Sequence, residues 1–253
     1  MTAADTPPAP DAAERCNQAF TEFYAARNPD KVYPSEFLVR TLMGEYPQLK
    51  LDRTGYRGKA ILDIGFGDGR NFPLLDDLGF QIHGIEVTEP ICALTRERMQ
   101  RMGIAAELRV GRNAAIPYPD ASFDFLLASA SCYYVDPGLR FDDNLAEFAR
   151  VLRPGGVFVL TLPAMDSFVF RDGIDIGGGH VQIQADPYGL RNGYVLRRFK
   201  DEAEIREAFS SQFGQFAFGH VDSNYYGTQF ALWLVVCRRG DLASIADEPR
   251  VTL

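Results

Sequence analysis

Three alternate glycines follow a short apolar run, and together they have the form of a ligand-binding turn. The run Ala60–Ile64 is bounded by glycine, and its length and β-branched content are typical of a buried parallel strand. Gly65, Gly67 and Gly69 allow positive φ angles and a close approach of the backbone to a ligand. A helix beginning near Asn71 would direct its unpaired N–H groups towards that ligand. The pattern therefore predicts a strand, a binding turn and a helix.

A carboxylate ends the next predicted strand, about twenty residues beyond this turn. The strand runs from Phe80 to Val87, with Glu86 near its end. A carboxylate in this place accepts hydrogen bonds from the two ribose hydroxyls of an adenosine. Glu86 therefore predicts an adenosine ligand without selecting one class of enzyme.

The spacing of the glycines separates two kinds of adenosine ligand. A dinucleotide fingerprint requires G-x-G-x-x-G, with the third glycine against the first turn of the helix near the pyrophosphate. Counted from Gly65, that third position is Arg70. The spacing argues against a dinucleotide, and a nicotinamide-dependent oxidoreductase is kept as the alternative class of enzyme.

Residues 63–69 read D-x-G-x-G-x-G, which resembles motif I of the class I S-adenosylmethionine-dependent methyltransferases. Residues 116–124 read Ile-Pro-Tyr-Pro-Asp-Ala-Ser-Phe-Asp and resemble a second family motif, an apolar residue followed by Pro, an aromatic residue, Pro and Asp-x-Ser-Phe-Asp. Residues 152–156, Leu-Arg-Pro-Gly-Gly, are similar to the family's turn into its next strand. The resemblance covers roughly residues 60–162 and implies S-adenosylmethionine as the cofactor.

One position departs from the family pattern. Arg112 stands where the family usually has an aspartate whose carboxylate accepts the adenine amino group, and a guanidinium has no acceptor to offer. We therefore assign the contact with the adenine amino group to the neighbouring Asn113, whose side-chain carbonyl can accept this hydrogen bond. The departure also motivates a third interpretation, a protein that binds the cofactor without catalysis.

In the family, an N-terminal helical segment often folds over the cofactor as a lid. The resemblance thus makes Tyr33 and Arg40 candidates for contact with the methionine end, where Arg40 would pair with the cofactor's carboxylate. A surface arginine is the alternative interpretation of Arg40. The implied cofactor-binding residues are Asp63, Gly65, Phe66, Gly67, Gly69, Asn71, Glu86, Val87, Arg112, Asn113, Ala114, Ser129, Tyr33 and Arg40.

Methyl transfer from a sulfonium is an in-line displacement with an activated leaving group, so the protein must chiefly align the reactants and exclude water. A general base is needed only for a hydroxyl or a protonated amine. The candidate catalytic residues are His180, Tyr133 and Tyr134, with Asp136 and His220 as further candidates for a base. An exposed loop histidine is the alternative interpretation of His180. The expected acceptor is an oxygen or nitrogen of a small molecule.

The expected fold is α/β, a Rossmann-like doubly wound sheet of seven mostly parallel strands whose last strand is antiparallel. Residues 1–13 are predicted to be a disordered tail and residues 14–58 a helical lid. Residues 59–240 are predicted to form the S-adenosylmethionine-binding domain, in which residues 164–200 form a substrate cap inserted after the fifth strand. Residues 241–253 are predicted to form a second tail.

The composition bounds these expectations. A chain of 253 residues suits one α/β domain, and a net charge of −8 gives no electrostatic footprint for nucleic acid or an anionic membrane. We therefore expect neither as a partner. Cysteines at positions 16, 92, 132 and 237 are too dispersed for a metal site, so free thiols and a cytoplasmic location are expected. The oligomeric state is not predicted.

Overall fold

The computed structural model describes residues 11–27 and 31–240. Most of the first predicted tail and the whole of the second lie outside these residues. Residues 11–13 correct the first boundary, because they begin a helix. Asp11 caps this helix: its Oδ1 accepts from the Glu14 N–H at 2.8 Å, and Glu14 Oε2 accepts from the Asp11 N–H at 3.2 Å.

Six α-helices, two short 3-10 helices and eleven strands form the secondary structure of the described residues. The helices are α1 (Ala12–Ala26), α2 (Glu36–Met43), α3 (Phe72–Asp77), α4 (Glu89–Met102), α5 (Phe141–Val151) and α6 (Glu202–Phe209). The strands are β1 (Ala60–Ile64), β2 (Gln81–Glu86), β3 (Ala106–Val110), β4 (Phe123–Ala128), β5 (Tyr134–Val135), β6 (Leu152–Pro163), β7 (Ile174–Gly177), β8 (His180–Gln182), β9 (Val195–Arg197), β10 (Phe213–Tyr225) and β11 (Thr228–Arg239).

Seven strands form one sheet in the order β10-β11-β6-β4-β1-β2-β3. The five strands from β6 to β3 are parallel, whereas β11 runs antiparallel to both β6 and β10. The α/β prediction, with its antiparallel last strand, is confirmed. The chain passes from β1 outwards to β3 and then returns to β4 on the other side of β1. Ligands bind beyond the carboxyl ends of the strands at such a reversal of strand order.

Both faces of the sheet are covered, which explains why β1 is apolar at four of its five positions and buried at all five. Leu62 and Ile64 pack in one core with Phe148 of α5. Ile61 packs on the opposite face with Phe72 of α3. Because side chains alternate along a strand, Asp63 lies on the same face as Ile61, beneath the glycine turn.

A second, smaller sheet occupies much of the predicted cap. Its four antiparallel strands have the order β5-β9-β8-β7, so β5, from the loop after β4, joins three strands of residues 164–200. The turn at residues 191–194 precedes β9, with the Tyr194 N–H donating to Arg191 O at 2.9 Å. Across residues 11–27 and 31–240, no helix combines the length and the apolar content needed to cross a bilayer.

Candidate functional site

A cavity of about 900 Å³, including its mouth, opens at the carboxyl ends of β1, β2 and β4. We call its strand-end side the floor and its opposite side the roof. The floor residues come from the strand ends and the loops that follow them: Ile64, Gly65, Ile85, Glu86, Val87, Gly111, Arg112, Asn113, Ser129, Ala130 and Ser131. The roof residues come from α1, the β5 segment and the turn before β9: Cys16, Asn17, Phe20, Tyr24, Tyr134, Asp136, Arg191 and Tyr194.

The glycine turn is closely packed at each of its three glycines, whose φ angles are +67°, +58° and +71°. A Cβ built on Gly65 would lie 2.6 Å from Ser131 Cβ, and one built on Gly69 would lie 2.7 Å from the Thr95 methyl group. A Cβ built on Gly67 would lie 2.4 Å from the hydroxyl oxygen of Tyr24. Glycine is required here by both backbone conformation and space.

Glu86 lies beside this turn at the end of β2 and is 7% exposed. Its Oε1 accepts from the Gly67 N–H at 3.1 Å, and its Oε2 accepts from the Val87 N–H at 2.7 Å. Burial raises the pKa of Glu86, while these two backbone donors oppose the rise. Each carboxylate oxygen keeps accepting capacity for a ligand hydroxyl at the cavity floor.

Asp63 lies beneath the turn and is 1% exposed. Its Oδ2 accepts from Asn71 Nδ2 at 3.4 Å, whereas its Oδ1 has no hydrogen-bond partner in the part of the chain that the structure describes. Burial raises the pKa of Asp63 to about 8. A buried carboxyl group with one unsatisfied oxygen suits a cationic or donor group supplied by a ligand.

Asn71 connects this carboxyl group to the segment before α2. Its Oδ1 accepts from both the N–H and the hydroxyl of Ser35, at 3.1 and 3.2 Å. These two donors fix the orientation of the amide, so its N–H₂ group faces Asp63. The side chain thus positions Asp63 from below the cavity.

Arg112 and Asn113 share a turn after β3 but face different partners. Arg112 donates from Nη1 to Asp136 Oδ1 at 2.8 Å and from Nη2 to the Asn17 side-chain oxygen at 2.7 Å, in the Asn17 amide orientation that satisfies both groups. Asn113 Nδ2 donates to the carbonyls of Ser131 and Tyr134, both at 3.0 Å. Arg112 therefore joins the floor to the roof, while Asn113 keeps its carbonyl oxygen for a ligand.

Polar contacts join the turn before β9 to the β5 segment of the roof. Arg191 donates from Nε to the Tyr134 hydroxyl at 2.7 Å, and its Nη1 forms an ion pair with Asp186 Oδ2 at 2.9 Å. The Tyr194 hydroxyl donates to Asp136 Oδ1, which also receives Arg112. Burial raises the pKa of Tyr194, and the carboxylate of Asp136 raises it further.

The structure does not bring Tyr33 or Arg40 to the cavity. Tyr33 is 76% exposed. Arg40 donates to Glu36 on the outer surface of α2, because Leu38 and Leu42 occupy the buried surface of that short helix. The lid contact is made instead by α1, whose Tyr24 lies against Gly67.

Two of the three candidate catalytic residues also lie outside the cavity lining. His180 is in β8 in the middle of the cap sheet, and burial lowers its pKa. Tyr133 is buried and stacks on Tyr134 with ring centroids 5.2 Å apart, and only Tyr134 reaches the cavity. The further candidate His220 is an exposed residue that packs on Trp233, whereas Asp136 lines the roof.

The remaining predicted cofactor residues differ in how they reach the site. Gly65, Glu86, Val87, Arg112, Asn113 and Ser129 line the cavity. Phe66 does not offer its side chain, because the ring is buried against Phe72 and Gly84. Five others do not line the cavity: Asp63, Gly67, Gly69, Asn71 and Ala114.

Sequence reasoning missed most of the roof. Asn17, Arg191 and Tyr194 belong to no recognisable motif. Phe20 and Tyr24 were detectable as an i, i+4 pair on a helix, but this spacing is equally typical of core packing. Their exposure to a cavity depends on the tertiary position of α1.

Residues 62–160 match the family model described as "Methyltransferase domain". A probable S-adenosylmethionine-dependent methyltransferase of Mycolicibacterium smegmatis is 32% identical over 111 residues, which are 44% of this chain and 40% of that relative. The chain thus spans about two fifths of that relative's length. The residues matched by the family model include all the floor residues of the cavity.

Solved structures extend the similarity of fold to most of the chain. A S-adenosylmethionine-dependent methyltransferase of Methanosarcina mazei superposes with a TM-score of 0.59 at 21% identity, covering 78% of this chain and 98% of that one. A 1,6-didemethyltoxoflavin-N1-methyltransferase of Burkholderia thailandensis, solved with bound 1,6-didemethyltoxoflavin and S-adenosylhomocysteine, gives a TM-score of 0.56 at 16% identity, and the match covers 94% of each chain.

The matched domain favours a methyltransferase over the nicotinamide-dependent alternative, in agreement with the glycine spacing. Residues 62–160 thus match a methyltransferase domain, and the described chain has the fold of the methyltransferase structures it superposes on.

Proposed function

We propose that this protein transfers a methyl group from S-adenosylmethionine to an oxygen or nitrogen atom of a small molecule. The observation that carries the proposal is the pair of buried carboxyl groups flanking the glycine turn. Glu86 borders the cavity beside the turn, and Asp63 lies beneath it with one unsatisfied oxygen. A ribose beside Glu86 and an ammonium group beside Asp63 would satisfy both carboxyl groups.

The residues present fit this cofactor. Glu86 would accept from the ribose hydroxyls, and the unsatisfied Asp63 Oδ1 would accept from the ammonium group of the methionine part. The small residues Ser129, Ala130 and Ser131 leave room beyond β4 for the sulfonium. When bound, the cofactor supplies an activated methyl group.

Asn113 takes the adenine-reading role in this proposal. Its N–H₂ group is occupied by two backbone carbonyls, so its oxygen is the group that remains to accept from the adenine amino group. Arg112 cannot act in this way, because it has no acceptor and its guanidinium is turned towards Asp136 and Asn17.

The roof would exclude water and align the acceptor with the methyl group. Phe20, Tyr24 and Tyr134 enclose the cavity with aromatic rings, and exclusion of water strengthens electrostatic contacts inside it. Alignment of two bound reactants is the main catalytic demand for this displacement. A cytoplasmic location and the absence of a nucleic-acid partner stay predictions.

Calorimetry with S-adenosylhomocysteine and NAD on the purified chain tests the cofactor assignment, since both ligands contain the adenosine that Glu86 is expected to hold. We expect saturable binding of S-adenosylhomocysteine alone. Binding of NAD alone would overturn the proposal. Tight binding of S-adenosylhomocysteine without methylation of any compound in a metabolite extract would favour the non-catalytic interpretation.

A further inference from the structure

In the described part of the roof, one acceptor and one donor keep capacity for a ligand, and we propose that they form the acceptor subsite. The acceptor is Asp136 Oδ2 and the donor is the Tyr134 hydroxyl. The ligand that they fit is a flat, uncharged aromatic compound with a hydroxyl or ring N–H group. The inference rests on the proposed methyl transfer and names the class of its substrate.

Asp136 offers an acceptor to the cavity. Its side chain is 16% exposed and lines the roof. Arg112 Nη1 and the Tyr194 hydroxyl both donate to Oδ1. Because these two contacts share one oxygen, Oδ2 keeps its lone pairs for the hydroxyl or N–H of a ligand.

Tyr134 offers a donor. Arginine can only donate, so the 2.7 Å contact with Arg191 Nε makes the Tyr134 hydroxyl oxygen the acceptor. The hydroxyl's own proton is therefore available for a second contact. Burial raises the pKa of Tyr134, which keeps the hydroxyl protonated at neutral pH.

The walls between these groups are aromatic and carry no net charge. Phe20 and Tyr134 meet edge to face with centroids 6.2 Å apart, and Tyr134 meets Tyr194 in the same way at 5.6 Å. Each roof-facing arginine has an aspartate partner, Arg112 with Asp136 and Arg191 with Asp186. A flat neutral ring suits such walls, whereas a carboxylate would face the oxygen of Asp136.

Asp136 then has a defined part in the transfer. As the acceptor oxygen or nitrogen forms its bond to the methyl carbon, the carbon–sulfur bond breaks and its electron pair stays on the sulfur. The proton of the acceptor group passes to Asp136 Oδ2 and from there to water. Arg112, the residue that departs from the family pattern, positions this carboxylate.

The test uses three probes that share one ring system: 2-naphthol, 2-methoxynaphthalene and 2-naphthoate. Saturation-transfer NMR measures their binding to the full chain saturated with S-adenosylhomocysteine. We expect 2-naphthol to bind at least about tenfold more tightly than its methyl ether, since the ether cannot donate to Asp136. Naphthoate is expected to show no binding. Tighter binding of naphthoate, or no binding of any probe, would overturn the inference.

Asp136→Asn is the decisive variant, because it changes one atom. The asparagine oxygen still accepts from Arg112 and Tyr194, so the N–H₂ group replaces Oδ2 and the cavity gains a donor in place of an acceptor. We expect the preference for 2-naphthol to disappear while S-adenosylhomocysteine binds as before. The matched control is Asp142→Asn, whose side chain is 63% exposed on α5.

Two readouts separate this inference from the proposed function. Failure of S-adenosylhomocysteine to bind the wild-type chain would remove both. Normal cofactor binding with an unchanged naphthol preference in Asp136→Asn would remove the acceptor subsite alone.

Discussion

The floor and the roof of the cavity are built by different kinds of interaction. On the floor, backbone N–H groups, glycine conformations and strand ends position the ligand contacts, as in the two backbone donors that hold Glu86. On the roof, long polar side chains from distant segments meet, as where Arg112 and Tyr194 both donate to Asp136. The comparison teaches that the floor tolerates little change, whereas the roof is adjustable and suits the choice of acceptor.

Gly67→Val should produce the largest effect on the floor. The new Cβ would lie 2.4 Å from the Tyr24 hydroxyl oxygen, at a φ angle of +58° that valine avoids. We expect calorimetry to show a loss of S-adenosylhomocysteine affinity of about 100-fold or more, equivalent to about 2.7 kcal/mol.

Gly103→Ala provides the matched control, because Gly103 also has a positive φ but a Cβ there would meet nothing within 4 Å. It should lower stability slightly and leave the affinity unchanged. If both variants lost the same affinity for S-adenosylhomocysteine, backbone strain at a positive φ would explain the effect, and a specific contact at the glycine turn would not.

Glu86→Gln should have the next largest effect. The amide replaces one carboxylate oxygen with a donor that faces either the Gly67 or the Val87 N–H, so one of the two contacts becomes repulsive. We expect a loss of affinity for S-adenosylhomocysteine of about 30-fold, since hydrogen bonds to charged groups are stronger than neutral ones.

Glu89→Gln is the control for this variant, because its side chain is 62% exposed and pairs with Arg96 on the surface of α4. Unchanged cofactor affinity in Glu86→Gln would remove the ribose contact from the assignment.

Asp63→Asn should weaken binding by about tenfold and stabilise the cofactor-free protein. The pKa of Asp63 is raised from 3.8 to about 8, so the unfolded chain loses this proton at lower pH than the folded one. The associated stability is complete below pH 3.8 and is lost as the pH rises through about 8. The variant cannot titrate and should melt at a higher temperature than the wild type at pH 8.

Melting curves at pH 6 and pH 8 measure this difference, with Asp142→Asn as an exposed control. If the wild type were more stable than the variant at pH 8, the interpretation of Asp63 as a buried, unsatisfied carboxyl group would be wrong.

Tyr194→Phe should have the smallest effect on the cofactor. It removes one donor to Asp136, which retains Arg112. We expect the free energy of unfolding to fall by about 1 kcal/mol and the affinity for S-adenosylhomocysteine to change by less than about threefold. A larger loss of cofactor affinity would show that roof residues also determine cofactor binding, which the comparison of floor and roof assigns to the floor.

The sequence was informative where local rules determine structure. The apolar run of β1 predicted a buried strand, the glycine spacing predicted a turn with positive φ angles, and Glu86 was predicted to end a strand. These three features depend on a few adjacent residues. The adjacent pair Tyr133 and Tyr134 was also predicted to lie near the acceptor. Only Tyr134 reaches the cavity, whereas Tyr133 is buried with its ring stacked on that of Tyr134.

The roof could not be predicted because its contacts join segments that are remote in the sequence. Arg191 and Tyr134 are 57 positions apart, and no periodicity relates them. Tyr33 and Arg40 were chosen for their chemical type near a predicted lid, but the position of α1 decides which helix covers the glycine turn. That position depends on packing of the whole domain.

The docking of α1 also has a consequence for the order of folding. Cys16 donates from its thiol to the carbonyl of Asn192, a contact between residues 176 positions apart. At a synthesis rate of about 5–20 residues per second, α1 waits on the order of 10–35 s before its partner turn has been made. Every floor residue lies between positions 64 and 131, so the floor can assemble on the nascent chain before the turn that holds α1 has been made.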